Sequence, residues 1–147
     1  MSFVQKNLSA NEKIVYHTRL HWWVFMPSGV FFLLGLLFMN QSSGFGMGLL
    51  VIALLMLGLA YLNWMSSEFV ITNKRVILKK GFVSRILVEI QLNKAEGLII
   101  EQGIVGRIFN FGGVLVTSSG VKNAFAPMEA PFTFKKEVNE AVVKFNV

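Results

Sequence analysis

Two long apolar runs stand out from an otherwise mixed chain: Trp22–Met39 and residues 45–65, with no Asp, Glu, Lys or Arg anywhere between Arg19 and Glu68. Read as helices, they reach about 27 and 31 Å at about 1.5 Å per residue, which matches a bilayer hydrocarbon core of about 30 Å. Pro27 falls in the first turns of its run, where a missing N–H costs little. Between the runs, residues 40–44 (Asn-Gln-Ser-Ser-Gly) form a polar turn with room only for a helical hairpin. The pattern predicts two transmembrane helices, 22–39 and 45–65, joined by an external turn. Gly44 and Gly48 have a GxxxG spacing, which either shapes the turn or supports a helix contact; Gly29, Gly35 and Gly58 are expected to let the two helices approach each other, without implying a partner.

After the second run the period shortens to two. Phe69 and Ile71 alternate with Val70 and Thr72, Val76 and Leu78 with Ile77 and Lys79, and Asn73-Lys74 supplies a turn between them. Gly81 ends the second strand. Ile86, Val88, Ile90 and Leu92 then face one way, and Arg85, Glu89 and Gln91 the other. Further strands are predicted over 98–102 and 114–118, with Ser119-Gly120 turning into 121–126. The end returns to a helical period: Phe134, Val138, Ala141, Val142 and Phe145 share one face, and Pro131 suits the opening. Residues 66–147 are thus expected to form about six antiparallel strands closed by an amphipathic helix. Upstream, residues 1–21 form an N-terminal segment in which 14–20 is ambiguous. Ser9-x-x-Glu12 resembles a helix capping box, whereas Ile-Val-Tyr-His-Thr is β-rich and favours a strand added to the sheet.

Charge adds an orientation. The chain carries +6 net, and both flanks of the hairpin are basic: Lys13 and Arg19 before it, Lys74, Arg75, Lys79 and Lys80 after it. The positive-inside rule then places both termini in the cytoplasm. Trp22, Trp23 and Trp64 fall at one interface, where indole rings prefer to sit, and serve as interface anchors. The first run lacks a small-residue cleavage site and is read as uncleaved. There is no Cys and no Asp, which removes disulfides, thiolate metal sites and many phosphoryl-transfer arrangements.

Several short motifs resemble the bacterial pleckstrin-homology (PH)-like domain of the membrane-anchored, YdbS-like family, the second bacterial PH family. Phe69-Val70-Ile71-Thr72-Asn73-Lys74-Arg75 is similar to that family's V-T-N-x-R strand and turn, and Gly81 falls at its next turn. Ile90-Gln91-Leu92 resembles an I-P-L segment with Gln in place of Pro. Gln102, Gly106-Arg107 and Phe111-Gly112 resemble a Q…G-R…Y-G stretch. Glu12-Lys13-Ile14-Val15-Tyr16 and His21-Trp22 look like the lead into the first helix. The resemblance implies a mainly-β PH-like domain, an antiparallel sandwich or open barrel with a C-terminal helix, on a two-helix anchor in the bacterial plasma membrane, without catalysis.

Candidate chemistry is sparse. Lys74, Arg75, Lys79, Lys80 and Arg85 cluster near the second apolar run. In the PH superfold the first hairpin commonly holds a lipid headgroup, so these five are the candidate lipid- or phosphate-binding residues. Near an anionic leaflet each adds about 1 kcal/mol, screened by salt, although alternation sends Lys79 and Lys80 to opposite faces. Arg107, in the glycine-rich stretch 103–113, either meets phosphate or pins the loop by bonding carbonyls. His17 and His21 share a metal only on a helix; on a strand they lie roughly 13 Å apart at about 3.3 Å per residue. No metal, cofactor or catalytic residue is assigned, and no nucleic-acid motif occurs. The expected function is a non-enzymatic binding or scaffolding module at the inner leaflet, engaging anionic lipid, a partner protein, or both. The alternatives are a subunit or homo-oligomer of a larger membrane complex, and a membrane enzyme with an unrecognised site.

Overall fold

The computed structural model describes residues 3–118 and 120–147. After a short helix α1 (Phe3–Lys6) and strand β1 (Ile14–Thr18), a 3₁₀ turn (Trp22–Phe25) leads into α2 (Met26–Met39), which packs antiparallel against α3 (Ser43–Ser66). Both helices are long and apolar enough to cross a membrane: mean hydropathy is 1.9 over Trp22–Met39 and 2.4 over Ser43–Ser66, and only 11% of each is buried. A core helix of a soluble protein would be mostly covered, so this pair presents its apolar side chains outward. The helices touch through glycine. A Cβ on Gly46 would stand 2.7 Å from Met39 Cα, and one on Gly35 would stand 2.8 Å from the Leu50 side chain, whereas Gly44 and Gly48 face open space, as do Gly29 and Gly58, which do not mark a close approach. The middle glycine, not the GxxxG pair, closes the hairpin.

Beyond α3 the chain builds two antiparallel sheets. One runs β1-β2-β3-β4, with β2 (Glu68–Thr72), β3 (Arg75–Lys80) and β4 (Ile86–Gln91); the other runs β5-β6-β7, with β5 (Leu98–Glu101), β6 (Phe111–Ser118) and β7 (Val121–Glu129). A 3₁₀ segment (Leu92–Gly97) carries the chain from one sheet to the other, and a one-turn helix, α4 (Ile104–Phe109), sits between β5 and β6. Helix α5 (Pro131–Asn146) closes the sandwich. Gly120 has φ +80°; Ser119, the other half of the expected β6–β7 turn, lies outside the described residues.

Alternation built the core as expected. Phe69, Ile71, Val76, Leu78, Val88 and Ile90 meet Val114, Val116, Phe125 and Met128, with Phe134, Val138, Ala141 and Val142 of α5 over the end. Each fully buried side chain of this size contributes roughly 1.5–3 kcal/mol. Phe145 departs from the expected face: it is 49% exposed, at the rim of a distal recess it shares with Arg75, Gln91 and Asn93. Ile86 is also exposed, at the end of β4.

Residues 14–18 are a strand, on the edge of the first sheet, with His17 opposite Val70 and Thr18 opposite Phe69. The Ser9–Glu12 pair still closes a turn: Glu12 Oε2 accepts the Ser9 N–H at 2.7 Å, but no helix follows. Past β1, Leu20 bridges to Met128, with His21 N–H on Pro127 O and Glu129 N–H on Arg19 O, so one segment ties both sheets together. The outer face of the first sheet is covered as well. Val4 of α1, 1% exposed, packs on Val70 and Ile77, which explains why β3 is buried on consecutive residues.

Candidate functional site

The five cations singled out in the sequence do not form one site. Helix α3 ends at Ser66 and β2 starts at Glu68, so the Glu68 end of the sheet adjoins the helices. Glu68 pairs with Lys79, which puts Lys79, Lys80 and the β3–β4 turn with Arg85 at that proximal end. The β2–β3 turn with Lys74 and Arg75 is at the other end, about 16 Å away along a six-residue strand at about 3.3 Å per residue.

At this distal end the cations are occupied by the chain itself. Arg75 donates from Nε to Glu12 Oε1 and from Nη2 to Glu12 Oε2, each at 3.0 Å, from Nη1 to Glu89 Oε2 at 2.7 Å, and from Nη2 to Asn7 O at 3.1 Å. Glu12, whose side chain is fully buried, also accepts from Thr72 Oγ1 at 2.7 Å and from the Ser9 N–H. Every lone pair needed by a buried carboxylate is met. Burial alone would push the Glu12 carboxyl up, but the hydrogen bonds from Arg75, Ser9 and Thr72, with the Arg75 charge, outweigh it and hold the group at about 2. Asn73 joins the clasp, accepting from Lys13 N–H and donating to Asn11 O, and Lys74 Nζ donates to Ala10 O at 2.7 Å. Thr72, Asn73 and Arg75, three residues of the V-T-N-x-R likeness, thus fasten residues 7–13 to the sheet.

The proximal cations are less engaged. Lys79 lies 4.1 Å from the centroid of the Phe3 ring, a cation–π contact. Lys80 donates to Ala126 O at 2.8 Å on the other face, and burial pushes its ammonium below the ordinary lysine value. Arg85 is exposed at the β3–β4 turn. There Gly81, at φ +95°, is required: a Cβ would collide with Ser84 O.

A cleft of about 740 Å³ opens at this same end, where β1 and β2 meet the last turns of α3. Gln5, Ile14, His17, Arg19, Tyr61, Trp64, Met65, Ser67 and Glu68 line it. His17 and Arg19 are exposed and two apart on the edge strand and its continuation, hence on one side. Tyr61 and Trp64 come from α3 with rings 6.4 Å apart. The walls are fixed: Trp64 Nε1 donates to Leu20 O at 2.9 Å, and Ser67 Oγ donates to Asn63 O while accepting the Gly81 N–H. One cation, one imidazole, one phenol, one indole and one carboxylate, that of Glu68, thus face a space that is open to solvent on one side and bounded by an apolar helix on the other. Its parts come from positions more than 40 residues apart, so charge density along the chain, which singled out 74–85, gave it little weight. In the sequence Arg19 reads only as a basic flank.

Trp22 and Trp23 pack elsewhere. Trp23 stacks on Phe111 at 4.9 Å, and Phe109 lies 5.6 Å from Trp22 and 5.4 Å from Trp23. His21 is buried, its Nδ1 accepting the Trp23 N–H at 3.2 Å, while His17 points to the cleft, so the two histidines do not share a site. The loop-pinning role considered for Arg107 belongs to Gln102, whose Nε2 donates to Gly106 O and Phe111 O, each at 3.1 Å. Gly106 and Gly112 have no room for a Cβ, against Phe111 O and Glu101 O respectively.

Among known proteins, the model of the bacterial PH domain family matches residues 29–142. The chain belongs to that family. The matched stretch takes in most of the helical hairpin as well as the sandwich. Neither a curated protein nor a solved structure matches the chain. PH domains are generally binding modules, and the two-sheet sandwich closed by α5 is the PH-like fold.

Proposed function

We propose that this PH domain is a non-catalytic binding module anchored in the bacterial plasma membrane by α2 and α3, with both termini cytoplasmic, and that its junction cleft takes an anionic lipid headgroup. One observation carries the reading: Arg19 and His17 face Tyr61 and Trp64 in a cleft at the foot of two helices long and apolar enough to span a bilayer. A headgroup at that level meets cation and hydroxyl donors while its acyl chains run beside α3. Lys79 and Arg85, at the same end of the sheet, add attraction to an anionic leaflet; Lys74 and Arg75 are spent on the clasp.

The test is gentle detergent extraction of the tagged full chain, followed by mass spectrometry of bound lipids and proteins. One anionic lipid class enriched on the wild type and lost from Arg19→Gln, but retained by Lys74→Gln, supports the reading. A stoichiometric protein partner, with lipid content indifferent to Arg19, replaces it with a scaffold.

A further inference from the structure

Among the described residues, two apolar tips flank the root of the hairpin, and neither is covered. The first is the β3–β4 turn with the start of β4: Phe82, Val83, Ile86 and Leu87 are exposed, Val83 at 80%. It is held to α3 by Phe82 N–H on Asn63 Oδ1 at 3.1 Å and Gly81 N–H on Ser67 Oγ at 3.2 Å. The second is α4, where Ile104 and Ile108 are 80% and 72% exposed and Val105 and Phe109 are also exposed. It is held to the start of the first apolar run by Phe109 against Trp22 and Trp23, and kept rigid by Gln102. The hairpin is antiparallel, so its beginning at Trp22 and its end at Ser66 lie at the same level. The tips therefore sit at one height, on opposite anchoring helices. Each carries one exposed arginine, Arg85 or Arg107.

We infer that both tips enter the leaflet that the hairpin crosses, with Ile104 and Ile108 on one side, Phe82 and Val83 on the other, and Arg85 and Arg107 at headgroup depth. Short segments with apolar residues facing inward and a cation at the boundary suit the interface of an anionic bilayer. Exposed apolar patches on a domain otherwise alternating in and out need an occupant. Continuity with the hairpin selects lipid: each tip contacts the root of one apolar helix directly, Phe82 at Asn63 and Phe109 at Trp22 and Trp23. Three fixed attachments, the hairpin and two tips, would set the domain's tilt and hold the Arg19 cleft against the headgroups.

The inference rests on α2 and α3 spanning a membrane, so the experiment separates the two. The chain has no cysteine, which allows single-cysteine variants of the full protein. Val83→Cys, Ile104→Cys and Ile108→Cys, at outward-facing positions that tolerate change, are labelled with a polarity-sensitive fluorophore. Leu55→Cys serves as a mid-helix control and Lys94→Cys, exposed at the distal end next to the Leu92 N–H that bonds Lys74 O, as a distal one. Each goes into nanodiscs of phosphatidylglycerol and phosphatidylcholine, with or without lipid spin-labelled near the headgroup, and circular dichroism checks the fold. The expected result is blue-shifted emission at 83, 104 and 108, quenched by the shallow spin label, with emission from 94 water-like and unquenched. Water-like emission at all three tip positions, with 55 apolar, overturns the tips and leaves the hairpin standing. Water-like emission at 55 as well removes the spanning reading. A blue shift at the tips without quenching by spin-labelled lipid assigns them to protein contact and overturns the inference.

Discussion

The two ends of the four-stranded sheet carry similar cations to different purposes. At the distal end, Arg75 is engaged by Glu12, Glu89 and Asn7 O through four of its five N–H groups, and Lys74 is turned back on Ala10 O. At the proximal end, Arg19 and Arg85 are exposed, and Arg19 lines a cleft beside aromatic residues of α3. Burial makes the difference. A guanidinium beside a fully buried carboxylate is committed to folding, because separating the pair leaves a charge without solvent. A cation over an open cleft keeps its hydration and can exchange it for a ligand. Sequence position separates the two groups poorly; Lys74 and Lys79 are five residues apart, yet β3 carries them to opposite ends.

The sharpest way to break the comparison is to cut the clasp. Arg75→Ala strands the buried Glu12 carboxylate and is expected to cost about 3–5 kcal/mol. Glu12→Ala costs less, since the Arg75 side chain is 23% exposed and water can take the lost bonds. Thermal or denaturant unfolding of the full chain in nanodiscs reads both; equal losses would mean that water reaches Glu12 once the guanidinium is gone, so that its burial does not set the cost.

Acid gives the next largest effect. The folded Glu12 carboxyl is held at about 2 against its ordinary 4.5, so its contribution is complete above about pH 4.5 and is lost as pH falls toward 2. The displacement corresponds to about 3 kcal/mol over that window. Glu12→Gln should flatten the decline between pH 4.5 and 2 while lowering stability at neutral pH. An unchanged acid profile in Glu12→Gln would assign the acid sensitivity to other carboxylates.

At the proximal end the readout becomes binding. Arg19→Gln is expected to weaken association with anionic lipid by about 1 kcal/mol, roughly fivefold, with stability little changed. The loss should shrink as salt rises. A fall in stability matching that of Arg75→Ala would make Arg19 part of the folded frame and abolish the contrast between the ends.

Local pattern was enough for much of this architecture. Period-two stretches such as Phe69 to Leu78 and the helical spacing of Phe134, Val138 and Val142 report burial within one element, and burial is what shapes them. The likeness in Thr72 to Arg75 pointed to the fold without disclosing what those side chains hold, since Glu12 lies some 60 positions upstream and reaches Thr72 only because β1 joins the edge. The same holds for Gln102, which does the pinning considered for Arg107: a side-chain amide carries no periodicity signal. Phe145 fits the helical face but stands at the rim of an open recess beside Arg75 and Gln91, where nothing closes over it among the described residues. The cleft was least legible, because His17, Tyr61 and Glu68 converge only once two helices and two strands are in place.

The smallest effect is the most discriminating. Lys74→Gln removes one exposed hydrogen bond to Ala10 O and one charge about 16 Å from the proximal end, at about 3.3 Å per residue along β3. That distance exceeds the Debye length of about 8 Å at physiological ionic strength, so the lysine adds little at the leaflet. Stability should change by no more than about 0.5 kcal/mol, and lipid association should stay within experimental scatter of the wild type. Lys79→Gln, by contrast, removes a charge at the level of Glu68 and should weaken association measurably, at less cost than Arg19→Gln because the Phe3 ring already satisfies part of its ammonium. Titration of both variants against phosphatidylglycerol nanodiscs checks the order Arg19, Lys79, Lys74. If Lys74→Gln weakened binding as much as Lys79→Gln, the attraction would belong to the net charge of the whole domain, and the distal turn would face lipid after all.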